Sequence, residues 1–155
     1  MDCVFCKIRD GEVPAMKLHE DARTVAFMDI NPLNEGHILV MTQAHAPTLL
    51  EASEEDLAAV MRTVRRMARA LQAALHPDGI NLLQANGEAA FQSVPHFHMH
   101  VVPRWKGDGK GLTWTAVRGD LEKVRASGPS WISWPPSTSR RTPRRGSSSG
   151  RGAKC

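Results

Sequence analysis

Residues 96–102 have the sequence His-Phe-His-Met-His-Val-Val, and this stretch decides the expected fold. Its strict alternation of histidine with large apolar residues predicts a β-strand that ends at Pro103. Side chains on a strand point to opposite faces in turn, so the three histidines share one face while Phe97 and Met99 share the other. The apolar face is expected to meet the core, leaving a row of imidazoles that spans ~13 Å.

The same seven residues fit the pattern His-φ-His-φ-His-φ-φ, where φ is apolar, and therefore resemble the histidine-triad (HIT) family. Other segments resemble family motifs in the same order along residues 1 to about 112: Cys3–Ile8, Phe27–Ile30, Gly36–Val40, Asn86–Glu88, Gln92–Val94 and Pro103–Trp105. The family consists of small nucleotide hydrolases and transferases that act at a phosphorus bearing a nucleoside. The chain is most similar to its zinc-containing bacterial-type branch, which resembles purine nucleoside phosphoramidases.

The length of 155 residues suggests a single domain. No run of apolar residues is long enough for a transmembrane helix, and Met1-Asp2-Cys3 does not resemble a signal peptide. Three cysteines do not make a disulfide framework. We therefore expect a cytoplasmic protein with no membrane partner.

The net charge of +4 is unevenly distributed. Residues 128–155 hold six basic residues and no acidic one, which leaves 14 basic and 16 acidic residues in residues 1–127. The pI is therefore no argument for a nucleic-acid partner. We expect a histidine-triad domain over residues 1–127, followed by a basic Ser/Pro/Gly-rich tail over residues 128–155 that cannot bury a core. Such a tail departs from the family and would also arise from cloning or a frame shift.

The predicted elements are strands over residues 24–28, 37–42 and 80–84, the triad strand, and one long helix that Ser53 opens. Residues 112–117 could be strand or loop, and residues 120–126 a short helix. Strands joined by short connections favour an α+β fold, in which an antiparallel sheet of about five strands carries the long helix on one face. The family resemblance agrees, and it implies a homodimer that pairs the helix and a strand edge across a two-fold axis.

The long helix has an N-cap at Ser53 and acidic residues in its first turn. Its apolar stripe is predicted to contain Leu57, Val60, Met61, Val64, Met67, Ala68, Leu71 and Leu75. Arginines at positions 62, 65, 66 and 69 lie off that stripe. They are typical of a solvated helix face, although a nucleic-acid surface would use the same residues.

Cys3 and Cys6 form a Cys-x-x-Cys motif, which in a reducing compartment indicates a metal or redox site. The family resemblance implies that His45 and His96 complete a zinc site with these two cysteines. A filled Cys₂His₂ site has no open coordination position, so the zinc would be structural.

The resemblance implies that His98 is the nucleophile, because a neutral imidazole can attack an α-phosphate and form a nucleotidyl-histidine. It also implies that the backbone carbonyl of His96 holds the other nitrogen of His98, and that His100 donates to the phosphate oxygens. Positions 37 and 93 match residues near the phosphate or leaving group. His37 could instead be a buried structural histidine.

The nucleotide-binding residues implied by the resemblance are Phe27, Asp29, Ile30, Asn86, Gln92, Ser93, His98 and His100. Phe27 and Ile30 match the base pocket, Asp29 the carboxylate that binds ribose hydroxyls, and Asn86 and Gln92 the phosphate side. Asp29 and Asn86 are also ordinary turn residues, and Phe27 an ordinary core residue. Two positions depart from the family: Phe91 replaces a common glycine, and Pro95 replaces a common aromatic residue, which puts substrate choice in question.

The function expected from the resemblance is hydrolysis of AMP or GMP from an N- or O-linked leaving group, a phosphoramidase activity on a purine nucleotide. A dinucleoside polyphosphate hydrolase would use the same residues. A second hypothesis is a metalloenzyme in which the three triad histidines bind a catalytic metal, although it leaves the cysteines unexplained. A third is a non-catalytic nucleotide-binding or scaffold protein.

Overall fold

A computed structural model describes residues 2–111 of the chain. Its elements are α1 (Val4–Arg9), β1 (Lys17–Glu20), β2 (Thr24–Met28), β3 (Ile38–Thr42), α2 (Glu54–Leu75), β4 (Gly79–Leu83) and β5 (His98–Arg104), with a 3₁₀ turn at Glu88–Ala90. The five strands form one sheet in the order β1-β2-β3-β5-β4, and every neighbouring pair is antiparallel. The predicted α+β class, with a five-stranded antiparallel sheet and one long helix, is confirmed.

The long helix α2 begins as predicted, because the Ser53 hydroxyl accepts a hydrogen bond from the Asp56 backbone N–H at 3.2 Å. It ends where His76 adopts a left-handed conformation. Most of the predicted stripe packs on the sheet, but Met61 is 49% exposed and does not belong to the core. Residue 61 lies one turn after Leu57 and two turns before Ala68, on the flank of the stripe that points away from the sheet.

The sheet is covered on both faces, by a different helix on each. On one face, α2 packs against an apolar cluster that includes Val40, Val101 and Phe97. On the other, the short helix α1 places Phe5 and Ile8 against the opposite side chains of β2 and β3. Burial on both faces explains why residues 38–41 of β3 are all apolar rather than alternating.

The triad strand differs from the prediction at both ends. It begins at His98, because the Phe97 N–H donates to the Ala46 carbonyl beyond the end of β3, and only the Phe97 carbonyl still accepts from Thr42, the last residue of β3. It also continues through Pro103 to Arg104. Proline is tolerated there because its nitrogen faces the β3 side, where pairing has already ended at Val101.

Two elements were not predicted. Helix α1 is six residues long, too short for the sequence around the Cys-x-x-Cys motif to show a helical period. Strand β1 is a largely exposed edge strand with no apolar alternation. The predictions for residues 112–127 and for the tail lie outside the described residues. No helix in residues 2–111 combines the length and apolar character needed to cross a bilayer.

Candidate active site and metal centre

A pocket of about 300 Å³ lies on the α1 side of the sheet, beside the triad strand. The predicted residues that line it are Phe27, Asp29, Ile30, Ser93, His98 and His100. Its remaining walls come mainly from α1 and the segment after it: Val4, Phe5, Ile8, Val13, Pro14 and Ala15. No lysine or arginine is among the described lining residues, so a phosphate here would meet neutral donors.

His98 is buried, and its ring is fixed by two neighbours. Its Nδ1 lies 2.6 Å from the backbone carbonyl oxygen of His96. Since a carbonyl only accepts, Nδ1 must carry the proton, and Nε2 keeps a free lone pair. The Phe5 ring meets the imidazole edge-on, with 4.9 Å between ring centroids. Burial lowers the pKa of His98, which favours this neutral form at pH 7.

His100 has the opposite tautomer, which a chain of hydrogen bonds imposes. The Leu33 backbone N–H donates to His37 Nδ1 at 3.1 Å, so the proton of neutral His37 is on Nε2. That Nε2 lies 2.9 Å from His100 Nδ1 and donates to it. The proton of neutral His100 is therefore on Nε2. Burial, with the neighbouring His98 and His37, lowers the pKa of His100 to about 4 and keeps it neutral.

Asp29 contacts both the pocket and this chain of hydrogen bonds. One carboxylate oxygen accepts from the Asn31 backbone N–H at 2.8 Å, and the other lies 3.5 Å from His37 Nδ1. The turn thus fixes the carboxylate at the pocket wall. Ile30, the next residue, is 86% exposed at the pocket mouth, whereas Phe27 is buried in its wall.

Four potential metal ligands converge, with their donor atoms within 4.8 Å of one another: Cys3, Cys6, His45 and the first triad histidine, His96. Cys3 is the N-cap of α1 and Cys6 lies one turn later, so the helix directs both thiols to the same side. His96 Nδ1 is 3.6 Å from each sulfur, and His45 Nδ1 is 3.4 Å from Cys6 Sγ. Both cysteines are free thiols.

His96 is completely buried and oriented by its second nitrogen. Nε2 donates to the Thr42 carbonyl oxygen at 2.8 Å, which leaves Nδ1 as the lone pair that faces the thiols. Burial, followed by the nearby His45 and His98, lowers the pKa of His96 to about 4. The ring is therefore neutral and correctly oriented to ligate a metal.

Residues 10–107 match the HIT domain family, which spans most of the described fold. The chain belongs to the HIT family. It is 42% identical over 122 residues to Protein hit of Bacillus subtilis, covering 78% of this chain and 84% of that protein. It is 37% identical over 129 residues to an adenosine 5′-monophosphoramidase of Schizosaccharomyces pombe, covering 83% and 94%.

Among solved structures, a Zn-bound histidine triad family protein from Mycobacterium smegmatis matches with a TM-score of 0.69 and 41% identity. The match covers 72% of this chain and 81% of that protein. The HIT family assignment therefore rests on sequence and fold together.

The geometry does not favour a metal held by the three triad histidines of this HIT chain. His96 Nδ1 faces the thiols, whereas His100 Nδ1 accepts from His37. A second group of potential metal ligands among the described residues consists of Asp29, His37 and His100. However, the Leu33 N–H occupies the His37 Nδ1 lone pair and puts a proton on the nitrogen that faces His100, so these lone pairs do not converge.

Two predicted nucleotide-binding residues do not line the pocket. Asn86 accepts from the Leu49 backbone N–H at 2.8 Å and also bonds to Gln84. Gln92 accepts from the Gly87 N–H and donates to the Pro47 carbonyl, at 2.7 and 2.6 Å. Both amides therefore brace the loop that carries Ser93, and their contact with substrate stays a prediction.

Sequence reasoning missed the part that α1 plays in the pocket. Phe5 and Ile8 are spaced as one helical face, but a single turn is too short for that signal to stand out. The support from Leu33 was also missed, because a backbone N–H leaves no sequence pattern. Neither departure from the HIT pattern lines the pocket: Phe91 and Pro95 flank the lining residues Ser93 and Val94 in the chain, and Phe91 is 94% exposed.

Proposed function

We propose that this protein is a nucleotide hydrolase that releases AMP or GMP from an N- or O-linked leaving group through a covalent nucleotidyl-histidine. The observation that carries the proposal is the 2.6 Å hydrogen bond from His98 Nδ1 to the His96 carbonyl. It leaves the Nε2 lone pair free in a residue that lines the pocket. A neutral imidazole held in one tautomer is an effective nucleophile.

In the first step, His98 Nε2 bonds to the α-phosphorus and the bond from phosphorus to the leaving nitrogen or oxygen breaks. The leaving atom keeps the electron pair and takes a proton, which the Ser93 hydroxyl can supply. In the second step, water attacks the phosphorus, AMP or GMP departs from His98, and a proton from the water restores the donor. The net reaction consumes one water molecule.

The imidazolium that forms on His98 is stabilised by its neighbours. The Nδ1–H of His98 keeps its hydrogen bond to the His96 carbonyl oxygen, which favours positive charge on the ring. His100, with its proton on Nε2, donates to the phosphate oxygens as their charge grows. His37 acts through His100 and is therefore a positioning residue. The nucleoside would lie between Phe27 and Ile30, with its ribose hydroxyls on Asp29.

The experiment that tests this function is a substrate panel of adenosine and guanosine phosphoramidates and dinucleoside polyphosphates, with kcat/KM measured for each. Phosphoramidates should be the best substrates, because the chain is similar to the adenosine 5′-monophosphoramidase of Schizosaccharomyces pombe. His98→Asn should remove turnover of every substrate. Preference for dinucleoside polyphosphates would change the substrate class, and no turnover of any compound would favour a non-catalytic binding protein.

We infer that Cys3, Cys6, His45 and His96 hold a structural zinc. Tetrahedral zinc with bonds of ~2.3 Å to sulfur and ~2.0 Å to nitrogen separates those ligands by ~3.5 Å. The separations of 3.4 and 3.6 Å between sulfur and imidazole nitrogen fit this value. When bound, the ion would supply a cross-link between α1 and the segment that precedes the triad strand.

Metal analysis of protein purified under reducing conditions should find one zinc per chain. Cys3→Ser with Cys6→Ser should lose the metal and lower the melting temperature, while some turnover remains. Absence of zinc from the unmodified protein would contradict a structural zinc. A folded double variant with no turnover at all would point instead to a catalytic metal.

A further inference from the structure

We propose that Phe91 determines specificity by stacking against a flat aromatic leaving group, an inference that rests on the proposed function. Phe91 is 94% exposed, the most exposed large apolar side chain among residues 2–111. An aromatic ring that stays in water lacks the large favourable free energy of burying its apolar surface. Aromatic side chains gain most of that free energy from contact with another ring. A ring held in solvent, two residues along the chain from the pocket-lining Ser93, is therefore available to a ligand.

The backbone conformation at residue 91 is also energetically unfavourable for phenylalanine. Phe91 has a φ of 64°, in the left-handed region that a bulky residue rarely adopts and that glycine adopts freely. Its N–H bonds to the Glu88 carbonyl at 2.8 Å, which closes the 3₁₀ turn. Glycine would satisfy the same turn without strain, so the fold does not explain the ring.

The loop holds Phe91 in a defined place. The next residue, Gln92, bonds through its side chain to the Gly87 N–H and to the Pro47 carbonyl. Its backbone N–H also bonds to the Gly87 carbonyl at 3.2 Å. Phe91 is thus presented by a closed, cross-linked turn, which lowers the entropy lost when a ligand stacks on it.

The position selects the leaving group rather than the nucleoside. Ser93 lines the pocket, and the Cα of Phe91 lies at most ~7 Å from that of Ser93 because only one residue separates them. The nucleoside end of the pocket lies at Phe27 and Asp29, with His98 between. In the proposed reaction the leaving group lies on the Ser93 side, and we place its outer part against the Phe91 ring.

Two AMP phosphoramidates test this directly, one made with 2-phenylethylamine and one with 2-cyclohexylethylamine. The amines match in length and leaving-group character but differ in ring flatness. The unmodified protein should prefer the phenyl compound about two- to tenfold in kcat/KM. Phe91→Leu keeps apolar bulk and Phe91→Gly removes it; both should bring the ratio close to one, with the cyclohexyl rate within about twofold. Phe91→Trp should keep the preference.

The stability of the variants separates this role from a structural one. Phe91→Gly should unfold at the same temperature as the unmodified protein or higher, because the left-handed strain is relieved. Equal rates for the two compounds in the unmodified protein, or a preference unchanged in Phe91→Gly, would overturn the role of Phe91 while leaving the hydrolase intact. If neither compound is cleaved, the proposed function fails and this inference fails with it.

Discussion

The two histidines at the centre of the pocket, His98 and His100, differ in which nitrogen carries the proton. Sequence alternation could predict that they share a face, and the family resemblance supplied the His96 carbonyl that holds His98. Neither the alternation nor the resemblance could predict the tautomer of His100, because that tautomer depends on the Leu33 N–H and on the rotation of the His37 ring. A hydrogen bond between residues 63 positions apart has no local pattern.

His37 should therefore affect catalysis rather than binding. We expect His37→Ala to lower kcat on the order of 10²-fold with a much smaller change in KM, because His100 can then adopt the tautomer that cannot donate to phosphate. His37→Gln, which keeps an N–H donor near the position of Nε2, should recover part of that loss. Steady-state kinetics on a phosphoramidate would check both variants. A loss confined to KM, or no difference between alanine and glutamine, would contradict a positioning role.

At the scale of elements, the predictions succeeded where a pattern is long and failed where it is short. Helix α2 shows a clear apolar period over 22 residues and has a serine cap, so its start and its core-facing side were predictable. Helix α1 has six residues, and β1 lies at an edge with no buried face to produce alternation. The triad strand was displaced because Phe97 bonds to the segment after β3, a tertiary contact that overrides local pattern.

The junction between α2 and the loop before β3 depends on Gly36. Its φ is +78°, and an added Cβ would lie 2.5 Å from Leu75, 3.0 Å from Leu71 and 3.2 Å from Pro103. Gly36→Ala should lower the free energy of unfolding by about 2–4 kcal/mol, from backbone strain plus overpacking. Gly11→Ala is the matched control, since Gly11 has the same φ and nothing within 4 Å. It should cost only the strain, about 1–2 kcal/mol. Urea unfolding would measure both, and equal losses would show that packing at Gly36 is unimportant.

At the scale of the whole molecule, the exposed apolar side chains suggest how two chains would meet. The sheet ends at β4, where Leu82 is 43% exposed. Leu82 pairs with Val101, which packs under α2, so the Leu82 side chain lies on the α2 side of the sheet. Met61 is exposed on that helix. We propose that this strand edge and this helix flank form the two-fold interface that the family resemblance implies.

Sedimentation velocity should give the unmodified protein a mass twice the 17.0 kDa of one chain. Leu82→Glu should shift it to the mass of a single chain, because a charge would be buried in the interface without a partner. Leu18→Glu places the same charge on β1, at the opposite edge of the sheet, and should remain dimeric. Dissociation by Leu18→Glu alone would place the interface at the other edge, and a monomeric unmodified protein would rule out the dimer.

The covalent intermediate on His98 is the central claim, and rapid trapping tests it most directly. The protein would be mixed with an adenosine phosphoramidate for milliseconds, denatured at alkaline pH and analysed by mass spectrometry with peptide fragmentation. We predict one added AMP on His98, slower formation of the same adduct in His100→Ala, and no adduct in His98→Asn, whose turnover should fall by at least ~10³-fold. An adduct on another residue, or near-normal turnover in His98→Asn, would contradict the account.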